Sequence, residues 1–389
     1  MGSESVNSKR VLLVGYRKPV AAVLERRGIP FAVWHEKPFK REPRCLAAVT
    51  APFPRSKPAI RAFIEAHFAP LGPFTDVIAG TESSVLPASV SRRALGARRS
   101  KDATIIRCHD KLLMKDELSR HGIPMTDYLP GDTELSPRAV IERLGRPVVL
   151  KDPRNSGGRG MVMVGSAEEL GALERRRALY ERFVDAPEMS VESFIRNGRV
   201  VFTNCTGYHV KRCANVIPAP IPAGTRKEVL RVNAAVIEAL KTSWGMAHTE
   251  FYLTERGVLF GEIALRPPGG YIMECMTLAH GFDAWDAFVA GELDLPWEWS
   301  QWPDEPRGHA ASVVLHAGEG RLESVHGIDE VRADPACVKL RMLTAPGELV
   351  HAREGAGDST AYALFRADTG RAVREAVDRC LRLVRFELA

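Results

Sequence analysis

"VVLKDPRNSGGRGMVMV", Val148 to Val164, places a lysine at the end of one apolar run, then a loop carrying Gly157, Gly158 and Gly160, then a second apolar run. The two runs predict the strands of a β-hairpin, with the glycine loop as their connection. Glycine at this density costs order, roughly 0.5–1 kcal/mol per position relative to alanine. Phosphate is the ligand that makes such flexibility useful, because a backbone without Cβ atoms can bring several N–H groups onto one anion. Lys151 stands at the strand end, where a cation would meet the same anion.

A chain of 389 residues is long for one core and suits two or three packed lobes. Its 45% hydrophobic and 26% charged residues are the profile of a soluble globular protein. No apolar stretch reaches the length of about 18 residues that a membrane span needs. The opening MGSESVNSKR is polar, lacks the apolar centre of a secretory signal, and reads as a disordered tail. The net charge of +6 is scattered, with short clusters at Arg92-Arg93, Arg98-Arg99 and Arg175–Arg177 that read as solvated faces. No basic stripe with interleaved aromatics is present, so nucleic acid is not an expected partner, and small anionic substrates fit better. Seven cysteines, an odd count without a CxxC pair, point to neither a disulfide framework nor a zinc site. A reduced, cytoplasmic setting follows.

The segment Lys9–Lys37 reads strand (Val11–Val14), helix (Pro19–Arg27, stopped by Gly28) and strand (Phe31–Trp34), the start of a parallel sheet. A strand at Asp76–Ala79 and a helix ending before Gly96 repeat the theme, so residues 1–102 form one small α/β unit. Gly15 lies outside any GxGxxG, which excludes a dinucleotide fingerprint. His109–Pro124 predicts an amphipathic helix with Leu112, Leu113, Met114 and Leu118 inward. Ser166 caps a helix running to Arg177, and Asn197-Gly198 marks a hairpin turn. Thr249–Leu253 and Val258–Leu265 form another hairpin, with helices from about Ile272 to Glu292 after it. Strands and a final helix near Ala372–Leu383 complete the chain.

Glu250 and Glu262 sit inside the apolar strands of that last hairpin. Charges there are expensive unless paired or bound to a metal. Side by side they would repel, unless a hard cation such as magnesium sat between them; the alternative is that one or both face solvent. Arg266 follows, ahead of the rigid turn Pro267-Pro268-Gly269-Gly270, and either holds an anion bidentately or is an ordinary surface arginine. Lys111 and Lys151 are each weak signals for phosphate. Glu181 and Glu188 flank an Ala186-Pro187 turn that could aim both into one cleft.

Taken in order, the lysine in "CHDKLLMK", the lysine in "VVLKD", the glycine loop, Glu181 and Glu188, and Glu250, Glu262 and Arg266 resemble the ATP-grasp superfamily of carboxylate–amine ligases. The likeness is to the L-amino-acid and carnosine-type ligases, and covers nearly the whole chain. It implies an α/β and α+β multidomain protein, an ATP-grasp fold with an N-terminal Rossmann-like pre-ATP-grasp domain. The expected divisions are 1–102, a small lobe over 103–190 with the glycine loop, and a large lobe over 191–389 with a C-terminal extension. The resemblance assigns ATP phosphates to Lys111, Lys151 and the loop with Ser156, Gly157, Gly158 and Gly160. It assigns adenine to Glu181, Phe183 and Val184, ribose to Glu188, and Mg2+ (with Mn2+ as a possible substitute) to Glu250 and Glu262. Arg266 would steady the acyl phosphate. His248 and His209 are candidates for the base, or else structural. His209, Lys211 and Arg212 form either a basic patch for an acidic substrate or an exposed turn, and Gly269 and Gly270 join them as substrate-side positions.

One departure stands out. Where the family reads Glu-x-Asn-x-Arg, "EIALR" has Ala264, which cannot ligate a second metal. The implied reaction is amide formation between a small carboxylic acid and an amine, with small-molecule partners and a homodimer as the common assembly. The alternatives are purine-type carboxylation or formyl transfer, action on a peptide partner, and a nucleotide-binding protein without catalysis.

Overall fold

The computed structural model describes residues 6–39, 41–98, 102–155, 157–173, 178–297, 301–353, 355 and 358–389. Val11–Val14, buried at every position, pairs in parallel with Phe31–His35 on one side and Asp76–Ala79 on the other, and Ala48–Thr50 extends the sheet. A strand covered on both faces is the reason for its unbroken apolar run. At the C-terminal end of this sheet Gly80 meets Gly15 so closely that a Cβ on Gly80 would collide with the Gly15 carbonyl oxygen. That approach leads directly into the short turn Glu82–Ser84.

The glycine loop belongs to a second, antiparallel sheet of order Tyr128–Pro130, Leu179–Arg182, Val148–Lys151, Val162–Val164. The third sheet has eight antiparallel strands. Gly257–Ala264 is its edge, followed by Gly245–Thr254, Glu188–Arg196, Arg199–Val210 and Ala214–Ile217. His309–Leu315, Ala361–Ala367 and Cys337–Met342 complete it. Helix Ala223–Ala239 packs Val229, Val232 and Val236 against Val191, Phe251 and Phe260 of this sheet. The helices Ile272–His280 and Ala284–Leu293 pack with Phe194 and Met246, and the second also reaches Val20 and Leu24 of the N-terminal helix Lys18–Arg26. Gly370–Leu383 covers the far end through Val373, Val377 and Cys380.

Several expectations change. In helix Lys111–Arg120 the buried residues are Lys111, Met114, Lys115 and Leu118, while Leu113 is 43% exposed. The helix turns its lysines inward because carboxylates wait for them there. The tail reading fails from residue 6 onward: Lys9 is buried against Asp76 at 3.2 Å. Arg92 is no solvated residue either, being buried with Glu292 at 3.3 Å and lying over Trp244. Arg99 and Arg175–Arg177 lie outside the described residues, and the Ser166-capped helix is described over Ala167–Ala172.

Gly80→Ala should destabilise the protein by about 1–3 kcal/mol through overpacking against the Gly15 carbonyl. Urea unfolding measures it; an unchanged midpoint would contradict the close approach.

Candidate active site

Asp110 caps the helix Lys111–Arg120 by accepting from the backbone N–H groups of Leu112 and Leu113. Lys111 and Lys115 therefore share one face, a turn apart. Lys115 is 1% exposed, donates to Thr126 Oγ1 at 2.8 Å and pairs with Glu181 Oε1 at 2.7 Å. Lys151, from the strand end, pairs with the other oxygen, Glu181 Oε2. Burial pushes the Glu181 carboxyl up, but the two ammonium groups outweigh it and hold the pKa at about 2. Burial lowers Lys115, whereas in Lys151 the opposing pull of Glu181, Tyr252 and Glu262 wins and raises it. Lys111 Nζ reaches Glu262 Oε1 at 3.1 Å and donates to the Asn155 carbonyl at the start of the glycine loop. Three lysines thus converge on two carboxylates. Lys115 escaped the sequence reading, although its spacing of four from Lys111 carried the signal.

Glu250 and Glu262 stand directly opposite each other. The register explains it. Phe251 pairs with Phe260, so in a regular hairpin Glu250 would face Gly261 and Glu262 would face Thr249. A bulge at this point adds one residue to the edge strand and brings Glu262 across from Glu250. Gly261 fits there because a Cβ would lie only 3.2 Å from the Glu250 carbonyl oxygen.

Behind this pair runs a buried polar chain. His248 Nδ1 lies 2.9 Å from Glu192 Oε1, and its Nε2 lies 3.5 Å from Glu250 Oε1. Glu192 also accepts from Ser190 Oγ, Asn204 Nδ2 and Thr206 Oγ1 at 2.6–2.7 Å. Tyr208 donates to Glu250 Oε1 at 2.9 Å. Burial pulls His248 down, but the two carboxylates raise it to about 9. Its two ring nitrogens face Glu192 and Glu250, an arrangement that can orient the Glu250 carboxylate.

The loop glycines Gly157, Gly158 and Gly160 all have left-handed φ, 66°, 75° and 66°, which side-chain-bearing residues rarely adopt. Ser156 lies outside the described residues. The Arg212 guanidinium is the nearest group to Gly158, and Lys211 pairs with Glu188. His209 Nε2 lies 2.8 Å from Asp378 of the final helix, which pairs this histidine with a carboxylate outside the glycine loop. The Glu181 carboxylate is engaged by its lysines, so of that linker Phe183, 37% exposed, and the half-buried Val184 are what a ligand can reach. Tyr252 lies within the field of Lys151, Glu188, Glu181 and Glu250; burial is the main cause of its raised pKa.

Arg266 donates from Nε to Glu82 Oε2 at 2.7 Å and from Nη1 to the Pro267 carbonyl at 3.0 Å. The Gly270 carbonyl is held by Asn215 Nδ2 at 3.0 Å and Ser312 Oγ at 2.6 Å, and open space surrounds Gly269. Ala264 is buried opposite His248. Among the described residues no group of three or more His, Cys, Asp or Glu side chains is placed to hold a metal. Two opposed carboxylates still fit Mg2+, which takes one or two of them and completes its shell with water and substrate phosphates.

The ATP-grasp domain matches this chain over residues 116–278, the stretch that holds Lys151, Glu181, Glu250, Glu262 and Arg266. Residues 116–278 thus carry an ATP-grasp domain. The L-amino acid ligase C-terminal domain 2 matches residues 313–389. The L-arginine-specific L-amino acid ligase of Bacillus subtilis is 26% identical over 314 residues, 76% of each chain. The formate-dependent phosphoribosylglycinamide formyltransferase of Nitratidesulfovibrio vulgaris is 26% identical over 62% of this chain and 63% of its own length. The crystal structure of an L-amino acid ligase from Bacillus licheniformis superposes with a TM-score of 0.80 at 19% identity, covering 100% of both chains. N5-carboxyaminoimidazole ribonucleotide synthetase from Thermotoga maritima gives 0.75 at 19% identity, covering 98% of this chain and 100% of that one. None of the described helices is long and apolar enough to cross a membrane.

Glu181→Gln should cost about 3–5 kcal/mol at pH 7, because it leaves Lys115 buried and unpaired. The sign with pH is fixed. The folded pKa of about 2 lies below the ordinary 4.5, so this contribution is complete above pH 4.5 and disappears as pH falls towards 2. Denaturant unfolding of both proteins at pH 7 and pH 3 should find the gap between them narrowing at the lower pH. A constant gap would contradict the clamp.

Proposed function

We propose that the chain joins the carboxylate of an amino acid to an amine through an acyl phosphate, with release of ADP and phosphate. The observation that carries this reading is the bulge-set pair Glu250 and Glu262, opposed on adjacent strands with Lys111 and Lys151 beside them. A substrate carboxylate and a triphosphate repel, so neutralising charge is the main task of such a site. Lys111 and Lys151 bind the phosphates, and the glycine loop donates backbone N–H groups from above. Glu181 and Lys115 hold Lys151 in place from below. Phe183 and Val184 present the exposed end of the linker to adenine, and Glu188 faces the ribose with Lys211. Glu250 and Glu262 hold Mg2+, which Mn2+ can replace, and the ion supplies a Lewis acid at the transferring phosphoryl group. Arg266 places its free N–H donors on the oxygens of the acyl phosphate, and Gly269 leaves room beside it. Ala264 removes one ligand, so a second ion, where bound, depends on water in its place.

Support for an amino acid as the acid comes from the C-terminal domain over 313–389 and from the relative named as an L-arginine-specific L-amino acid ligase. The reading is tested by ADP release from Mg-ATP across a matrix of free carboxylic acids and amines, with mass spectrometry of the products. Release should require one acid and one amine and yield a product equal to their sum less water. ATP binding without release for any pair would overturn it. Glu262→Gln should lower turnover by at least about 100-fold with the melting temperature unchanged. Near-normal turnover in that variant would overturn the metal assignment.

A further inference from the structure

Arg266 sits in the large lobe, yet its strongest partners come from elsewhere. Glu82, from the first turn after the parallel sheet, accepts its Nε–H at 2.7 Å. The other oxygen of Glu82 lies 2.9 Å from His109 Nδ1, at the last residue of helix Asp102–His109. All three side chains are at most 16% exposed. Burial pushes Glu82 up, but His109 and Arg266 outweigh it and hold it at about 2, so it is a carboxylate at any working pH. A second residue of the same domain grips the backbone. Arg17 donates to the carbonyls of Pro267 at 3.1 Å and Pro268 at 2.6 Å, while its guanidinium lies 4.7 Å from the Trp285 ring. Burial, and then the charge of Arg266, lower Arg17 to about 10, which marks two guanidinium groups in mutual repulsion.

We infer that Glu82, oriented by His109, is a positioning residue that fixes the Arg266 guanidinium for catalysis, and that the N-terminal domain thereby completes the active site. The inference rests on the reading of Arg266 given above. The bonding pattern supplies the argument. A guanidinium has five N–H donors. Glu82 takes the one on Nε and Pro267 takes one on Nη1, so both donors on Nη2 and the second on Nη1 are left for a substrate oxyanion. Without Glu82, the Nε–H of Arg266 loses the acceptor that fixes the plane of its guanidinium. A displacement of about 1 Å at such a group is enough to lose on the order of 100-fold in rate.

The test uses the acid and amine pair that supports ADP release in the full-length protein. Glu82→Gln should lower kcat for amide formation by roughly 10- to 100-fold, with KM for ATP within about twofold, measured at a temperature where the variant is folded. Glu82→Asp should recover part of the loss. In an Arg266→Lys background, where the Nε fork is gone, Glu82→Gln should add little. If Glu82→Gln does not fold, His109→Gln reads the same effect by freeing Glu82 to turn. The inference is overturned if a folded Glu82→Gln keeps kcat within twofold, or if its loss multiplies in full with that of Arg266→Lys. Full activity in Arg266→Ala would instead overturn the reading on which it rests.

Discussion

Glu181 is the carboxylate on which the proposed nucleotide side of this protein depends. It is buried where three sequence-distant elements meet, and its two oxygens are divided between Lys115 and Lys151. Desolvating a carboxylate costs several kcal/mol unless charge and hydrogen bonds repay it inside the protein. Here Thr126, Lys115 and Lys151 do so. The result is a lysine at the mouth of the glycine loop whose position is set by a residue beneath it. Lys111, one turn before Lys115, then spans from the loop backbone to Glu262 and ties the glycine loop to the Glu250–Glu262 hairpin.

The Glu250–Glu262 pair, the proposed metal site, depends on a different constraint, a matter of counting along a strand. A side chain on a β-strand changes face with every residue, so one extra residue in the edge strand decides whether Glu262 faces Glu250 or its back. Gly261 makes that extra residue tolerable. Behind the pair, Glu192 gathers Ser190, Asn204, Thr206 and His248, and His248 in turn faces Glu250. A fully bonded buried network of this kind limits where the Glu250 carboxylate can go. His248 itself is bracketed by two carboxylates, Glu192 and Glu250, which raise its pKa.

Much of this was legible in the residues. The parallel strands announce themselves as short apolar runs, Val11–Val14 and the three residues that follow Asp76 in Asp76–Ala79. The glycine loop, its flanking strands and the Glu250–Glu262 hairpin were legible because local patterns decide them. What stayed hidden depends on long-range partners. Lys115 looks like one more solvated lysine until Glu181 arrives from a strand more than sixty residues along the chain. Glu82 looks like a surface acid until Arg266 folds back onto it. His209 and His248 carry no mark of whether a carboxylate will meet them, and both do meet one. Leu113 faces outward because the helix rotates to bury two lysines, an order of preference that hydrophobic spacing cannot express.

The central claim is that an acid substrate is activated by phosphorylation before the amine attacks. The most direct measurement labels both carboxylate oxygens of that acid with oxygen-18 and follows the phosphate released. An acyl phosphate keeps one carboxylate oxygen as its bridge to phosphorus, so each phosphate should leave carrying one labelled oxygen. Phosphate free of the label, formed together with the amide product, would contradict the account.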